Sequence, residues 1–459
     1  MNWLTLIAGR RAAMLTASLI CCGIARSDSA VIPRNDPSVD VAAVQAAVNS
    51  GGQVELGAGV FNFGTSGGVT LTQDVVIRGR VDNRGEPTTV IRGGLRNFRI
   101  LATPIPPSRV PPPQPQIAVT IQDIASEGAT SGWIAAQDFR SLQIRNVRVR
   151  MGQPGFAVNL QPRLARSGAV AYWDGGELGD ITIEDSSIEV PGGNPALPSV
   201  GIFVNNLGNL DQNSSIGGHT RPLKPITVGI QNNRINTSTL GVIAHSFAGR
   251  AVYAKNDIRM QGTALVPADT GIAVGIFVGN NLGQNSDRAD IRTDVLLDNS
   301  VHFGETPTDT AGILVTGTTG GVQLRGNDVN LLRGVGLLAT TLVTGLSTTS
   351  LRIRGRGESA INFDPSVIPG DLLGGLGKQI QDNTLVGLNL NGFTGTAADI
   401  TLKGATSRNT FVGIGHATVS ETEGAGNNIF TGINVRSAPP GTVGSRVSAA
   451  VKALLDMAP

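Results

Sequence analysis

The chain has 459 residues, a formal net charge of +2, 40% hydrophobic residues, 15% charged residues and 61 glycines. That hydrophobic share excludes a disordered polymer, and the balanced charge excludes a nucleic-acid binder, which needs a basic surplus to meet phosphates. Both cysteines, Cys21 and Cys22, fall in the first 25 residues, so the rest of the chain holds neither a disulfide nor a thiolate metal site.

Residues 1–30 read as a signal peptide. Arg10 and Arg11 close a basic segment, an apolar run follows, and cleavage fits after Ala25 or Ala30. The run is shorter than the roughly 20 apolar residues of a membrane span. Removing Arg10 and Arg11 leaves 34 basic residues against 34 acidic ones. The expected location is secreted or periplasmic, with no membrane span in the mature chain. Residues 31–459 then form one domain. Pro37 to Gly52 reads as a short capping helix followed by glycine stops. Residues 103–116 are Pro-rich and predict a surface loop, and residues 443–457 predict a C-terminal capping helix.

Between the caps two strand patterns alternate. The first is Gly-apolar-any-apolar, beginning at Gly155, Gly201, Gly241, Gly275, Gly312, Gly336, Gly387 and Gly432. The second is apolar-any-apolar running into an Asn or Asp turn, as in VGIQNNRI from Val228 and VLLDNSV from Val295. Period two makes both half-buried strands. Their recurrence in order, with uneven gaps, predicts stacked solenoid coils. Asn232, Asn256 and Asn299 are placed to stack as a hydrogen-bond ladder. In the glycine-led strand the outward column reads Ala157, Phe203, Ile243, Phe277, Leu314, Leu338. Such an apolar run predicts a cover: the loops after Asn205 and Gly279, or a second copy in a homo-oligomer.

The helix, GGxVxLxxGxF, VxIxGR with TTVIRGG, and the Asn-turn coils together resemble the pectate-lyase-like superfamily. That resemblance implies an all-β, single-stranded right-handed parallel β-helix across residues 31–459. It implies a polysaccharide or cell-surface glycan as partner, most concretely with lyase-type chemistry. A non-catalytic structural, adhesive or glycan-binding surface protein is the alternative. The catalytic motifs of the superfamily are present only as fragments. Gly415-His416 and Arg352-Ile353-Arg354 stand alone, and Asp364-Pro365 is followed by Ser366.

β-Elimination on an acidic sugar needs a cation to neutralise the carboxylate and a base near the proton removed. The charged positions of the second strand pattern supply both types. Lys255, Asp298, Arg325 and Tyr253 are the expected catalytic group, with Arg352 and Arg354 binding substrate beside them. The alternative reading is an ordinary ion-paired face. Trp173 and Asp174 offer a second substrate-binding pair, an aromatic platform beside a hydroxyl acceptor. No resident cofactor or metal centre is expected. Ca2+ is the ion the class would take, at Asp287, Asp290, Asp294 and Asp298, but Arg288 and Arg292 interleave and favour a salt-bridged loop.

Overall fold

A computed structural model describes residues 30–101, 116–167, 170–192, 198–206, 225–245, 247–261, 272–279, 292–305, 309–318, 320–365, 379–396, 398–422 and 424–437. The signal peptide, the Pro-rich segment and the C-terminal helix lie outside them. The chain is a right-handed parallel β-helix. Among the described residues the ladders joining its coils are parallel, and the antiparallel hairpin of Arg163–Ser167 with Val170–Gly175 stands apart. The helix Pro37–Asn49 is capped by Asp36, whose side chain accepts from the Ser38 amide. It buries Val44 and Val48 over the first coil, as the sequence predicts.

Each coil contributes one strand to each of three sheets. In the best-defined stretch, the first sheet stacks Ile226–Gln231, Gly249–Ala254, Arg292–Leu297 and Val322–Arg325. The second stacks Arg234–Thr237, Asp257–Met260, Ser300–Phe303 and Asp328–Leu331. The third stacks Val200–Asn205, Leu240–His245, Ile272–Gly279, Asp309–Thr318 and Val335–Thr344.

The corner from first to second sheet is a two-residue turn. Its first residue takes a left-handed conformation in successive coils: Asp123, Asn146, Asp185, Asn232, Lys255 and Asp298 all have φ between 48° and 62°. Its second residue is buried: Ile124, Val147 and Ser186 in the earlier coils, then asparagine from Asn233 onward. Asn233, Asn256, Asn299 and Asn327 form the ladder, with each Nδ2 donating to the Oδ1 above at 2.8–3.0 Å. Their Nδ2 atoms also donate to backbone carbonyls of the first sheet. Asn233 therefore replaces Asn232 as the ladder residue, because Asn232 takes the left-handed turn position. A second ladder, Asn383–Asn409–Asn428, runs along the corner where the chain enters the first sheet. Each buried bond contributes about 1 kcal/mol.

The glycine-led repeat has a steric cause. Gly201, Gly241, Gly275, Gly312 and Gly336 stack where the third sheet meets the branched side chains of the second. A Cβ at Gly201, Gly241 or Gly336 would lie 2.5–2.6 Å from a methyl of Ile235, Ile258 or Ile353. Earlier coils exchange the volumes. There the second sheet carries Ser126, in register with Ile91 and Val149, and the glycine position is filled by Asn97 and then Trp133. Asn97 donates to the Gly93 carbonyl and accepts from the Ser126 hydroxyl. Trp133 is fully buried, edge-on to Phe98 at 5.9 Å. Gly155, Gly387 and Gly432 do not belong to this column. Gly155 precedes the register position of Phe156, Gly387 lies in the first-sheet strand Thr384–Asn389, and Gly432 pairs beyond a register shift.

A glycine followed by an inward residue leaves its two flanking residues facing outward. Val200 and Phe203 both face out, around Gly201 and the inward Ile202, and the same holds for Leu240 with Ile243, and Val335 with Leu338. The outer face of the third sheet thus bears a second apolar layer: Val200, Phe203, Leu240, Ile243, Ile272, Val274, Phe277, Ala311, Leu314, Val335 and Leu338. All are buried within a single copy of the chain. Residues 207–224 and 280–291, named as its cover from the sequence, lie outside the described residues.

Replacing Gly201 by Ala forces the methyl against Ile235 and the Gly241 carbonyl. It is expected to destabilise the solenoid by about 1–3 kcal/mol, as overpacking does, and Ile235→Ala in the same chain to recover part of the loss. Denaturant unfolding measures both.

Candidate functional site

The expected catalytic group does not converge. Lys255 and Asp298 are exposed neighbours in the turn column, on a convex corner of the prism. Arg325 ends its strand one position earlier, and its Nη2 donates to Gln323. Arg352 and Arg354 lie past the turn, on the second sheet, in register with Asp328 and Asn330. Arg354 pairs with Asp328 at 3.0 Å. The second sheet's outer face runs Arg92, Glu127, Arg150, Glu189, Asn236, Arg259, His302, Asn330, Arg354 by register. Signs alternate down its first four positions, the pattern of a solvated face with cross-strand ion pairs.

Tyr253 requires a correction. The run AVYA offered two phases, and the outward one was expected for it. Its register with Ile230 and Leu296 places it inside, fully buried. There it meets Arg292 and Asp294, both also fully buried. Arg292 holds Asp294 through Nε at 2.7 Å and Nη2 at 2.6 Å, donates to Tyr253 Oη at 3.1 Å, and donates to the carbonyls of Ala244 and Gly279. Its guanidinium stacks 3.9 Å from the Phe247 ring centroid. Burial lifts the Tyr253 phenol well above its usual range, and the Asp294 charge adds to that. Burial also raises the Asp294 carboxyl, opposed by Arg292. This knot is a structural lock at the corner between third and first sheets. It commits one carboxylate of the 287–298 segment to an arginine; Asp287 and Asp290 lie outside the described residues.

The outer face of the third sheet has a different chemistry along its length. One column runs Arg99, Ala135, Asn159, Phe203, Ile243, Phe277, Leu314, Leu338, Asn362. Three positions earlier runs Arg96, Gly132, Phe156, Val200, Leu240, Val274, Ala311, Val335. Two positions later, Asn205, His245, Gly279, Thr316, Thr340 and Asp364 line up, and Gln161 precedes them. His245 is stacked on Phe277 at 5.6 Å and edge-on to Phe203 at 5.7 Å. Burial, with Arg292 nearby, pushes its pKa down to about 3.

Polar atoms without partners gather on this face. Asn159 Oδ1, Gln161 Oε1, Thr316 Oγ1, Thr340 Oγ1 and Asn362 Oδ1 are buried and unmatched, as are Nε of Arg96 and Nε of Arg99. Buried polar atoms are almost always hydrogen-bonded, so the cluster is unusual. Arg96 and Arg99 are only partly buried, and among the described residues no carboxylate pairs with either. Arg96 Nη2 donates to Ser131 Oγ at 3.2 Å. Burial, then the charge of Arg99, lowers its proton affinity. Asn159 and Gln161 lead directly into the hairpin Arg163–Ser167 with Val170–Gly175. Trp173 and Asp174 lie on that hairpin, so the structure associates them with the third sheet and not with Lys255. Their side chains are outside the described set. Sequence reading missed Arg96 and Arg99, because the motif around them, Leu95-Arg96-Asn97-Phe98-Arg99, has Asn97 where the repeat has glycine.

No protein-family model matches the chain, and no curated protein matches it. Solved structures do. The A-module of the mannuronan C-5 epimerase AlgE6 from Azotobacter vinelandii is 14% identical, over 87% of this chain and 96% of that one, at a TM-score of 0.46. The surface adhesin PfbA of Streptococcus pneumoniae is 14% identical, over 89% and 91%, at 0.37. A mannuronic acid specific polysaccharide family 6 lyase from human gut microbiota is 10% identical, over 84% and 85%, at 0.29. These likenesses are of fold alone.

The depressed His245 value gives a pH prediction. Between about pH 6.5 and 3 the unfolded imidazole carries a proton that the folded one refuses. Its contribution to stability is complete above the unfolded pKa and falls as pH drops through that window. His245→Phe should flatten this part of the stability profile, read as the wild-type-minus-variant difference in Tm against pH. The knot gives a second. Asp294→Ala leaves Arg292 buried without its partner and should cost about 3–5 kcal/mol, whereas Lys255→Arg and Asp298→Asn should stay within about 0.5 kcal/mol in the same denaturation assay.

Proposed function

We propose that the protein is an exported binder of an extracellular polysaccharide, and that the polymer lies on the outer face of the third sheet with an acidic sugar at Arg96 and Arg99. One observation carries this reading: two partly buried guanidinium groups on one strand face have no carboxylate partner among the described residues. A partly buried cation without its counter-charge is costly, and guanidinium is the group that best matches a carboxylate's two oxygens. Two coils along, Asn159 and Gln161 hold amide oxygens without partners, buried on the same face. A solenoid repeats such groups every ~4.8 Å, a step comparable with the rise of one unit in an extended sugar chain. The basic and apolar leader read in residues 1–30 supports export.

Binding is the activity proposed. Among the described residues the side chains around Arg96 and Arg99 are an amide, a hydroxyl and an aromatic ring, and none is the base that β-elimination needs. The epimerase and lyase of like fold act on mannuronan and mannuronic acid polymer by their names, and polymannuronate is accordingly a first ligand to try.

Titration with polymannuronate and polygalacturonate at low salt should show binding that weakens as salt rises. Arg96→Ala with Arg99→Ala should lower affinity at least tenfold, and Arg354→Ala, on the second sheet, should leave it unchanged. Equal affinity of the double variant overturns the proposed site. Ultraviolet-absorbing unsaturated product, formed with or without calcium, would replace binding by lyase action.

A further inference from the structure

A second polar site lies on the opposite side of the solenoid, near the N-terminal end of the corner between the first and second sheets. A cavity of about 330 Å³ opens there, lined by Arg78, Gly85, Gln122, Asp123, Arg145, Asn146 and Asp185. It is built by two features. The first is the turn column. Asp123, Asn146 and Asp185 are consecutive left-handed turn residues, with φ of 62°, 48° and 53°. Coil stacking therefore sets a carboxylate, an amide and a carboxylate in a row, one every ~4.8 Å. The second is the excursion from Gly79 to Thr88, which leaves the same corner in the second coil and folds back over it.

That excursion is fixed rather than loose. Val81 bridges Pro87, and Asp82 Oδ1 accepts from the amides of Arg84 and Glu86. Its tip is tied to the solenoid twice: Asn146 Nδ2 donates to the Gly85 carbonyl at 3.0 Å, and Glu86 pairs with Arg148. The cavity is thus walled before any ligand arrives.

Its charges cancel. Arg78 Nε lies 3.3 Å from Asp123 Oδ2, and Arg145 Nε lies 3.6 Å from Asp185 Oδ2. Asn146 Nδ2 also donates to Asp123 Oδ1 at 2.8 Å. Arg145 Nε also lies 3.5 Å from Glu184 Oε1, just outside the lining, so two guanidinium groups against these carboxylates offer no net attraction to an anion. The same guanidinium groups, set between the oxygens, repel a metal cation. What the site presents is alternating donors and acceptors, each with unused capacity: half of the Arg78 side chain and 61% of that of Arg145 are exposed. Carboxylates accept from hydroxyl groups, and guanidinium donates to hydroxyl and ring oxygens. A molecule with adjacent hydroxyls and no charge fits that pattern.

We infer that this cavity is a neutral-sugar site, taking one uncharged pyranose unit of a glycan or a free saccharide of that kind. It is separate from the acidic-sugar site on the third sheet and does not depend on it. The two would hold different polymers, or different stretches of one mixed polymer.

The test is calorimetric titration of the whole protein with uncharged hexasaccharides of glucose, mannose and galactose. Asp185→Asn keeps a residue that tolerates the left-handed turn and removes one carboxylate acceptor. Gln122→Trp fills the cavity from an outward strand position, leaving the core untouched. At least one hexasaccharide should bind, each substitution should weaken it tenfold or more, and Arg96→Ala with Arg99→Ala should not affect it. Polymannuronate binding should be unchanged in Asp185→Asn, so the two sites fail or stand separately. Failure of all three sugars to bind, undiminished binding by both cavity variants, or competition for the cavity by acetate or inorganic phosphate would overturn the inference.

Discussion

The close approach of the second and third sheets governs this molecule. Branched side chains of Ile235, Ile258, Val301, Val329 and Ile353 fill the space where a Cβ on the third sheet would stand, so that position must be glycine. Pressing backbone against side chain at one residue turns the two residues around it outward together. Val200 and Phe203, or Val335 and Leu338, then form an apolar layer that water cannot be left to face. Packing inside the solenoid therefore dictates what lies outside it, and the third sheet must be buried on both sides. Where the constraint is relaxed, in the coils of Asn97 and Trp133, the outer face changes character as well. There it carries Arg96 and Arg99, then Gly132 and Ala135, in place of valine and phenylalanine.

The other two faces follow from simpler rules. The second sheet alternates arginine and glutamate over the first four positions of its outer column, which neutralises neighbouring coils there. The first corner needs a left-handed residue in each coil, and from Asn233 to Asn327 a buried donor follows it. Asn, Asp and, once, Lys255 meet the first need, and the asparagine ladder meets the second. The Arg292–Asp294–Tyr253 knot is a buried ion pair in the interior. It closes a corner where the carbonyls of Ala244 and Gly279 would lack donors, and Arg292 satisfies both.

Much of the architecture was legible because stacking repeats it. The cap at Pro37–Asn49, the alternating strands, the asparagine ladder and the buried apolar column are all visible in the residues. Register was less so. Val252, Tyr253 and Ala254 are all apolar, and either phase of AVYA satisfies alternation, so Tyr253 could not be assigned to a side without its neighbours in space. The turn added a further residue of ambiguity, which separated Lys255 and Asp298 from Arg325 and Arg354. The pair Arg96 and Arg99 was hidden for a different reason. Their significance is that no carboxylate among the described residues pairs with them, a property of the folded face that no spacing encodes. Trp173 and Asp174 were recognisable as sugar-facing types, but the sequence could not say that they lie on a hairpin continuing the strand of Asn159.

The central claim is that the outer face of the third sheet, at Arg96 and Arg99, is where an acidic ligand sits. Arginine-selective labelling by a dicarbonyl reagent, read by mass spectrometry with and without polymannuronate, tests it most directly. The account predicts that Arg96 and Arg99 are shielded by the polymer, while Arg92, Arg150 and Arg259 on the second sheet label at unchanged rates. Shielding of the second-sheet arginines with Arg96 and Arg99 still reactive would contradict it.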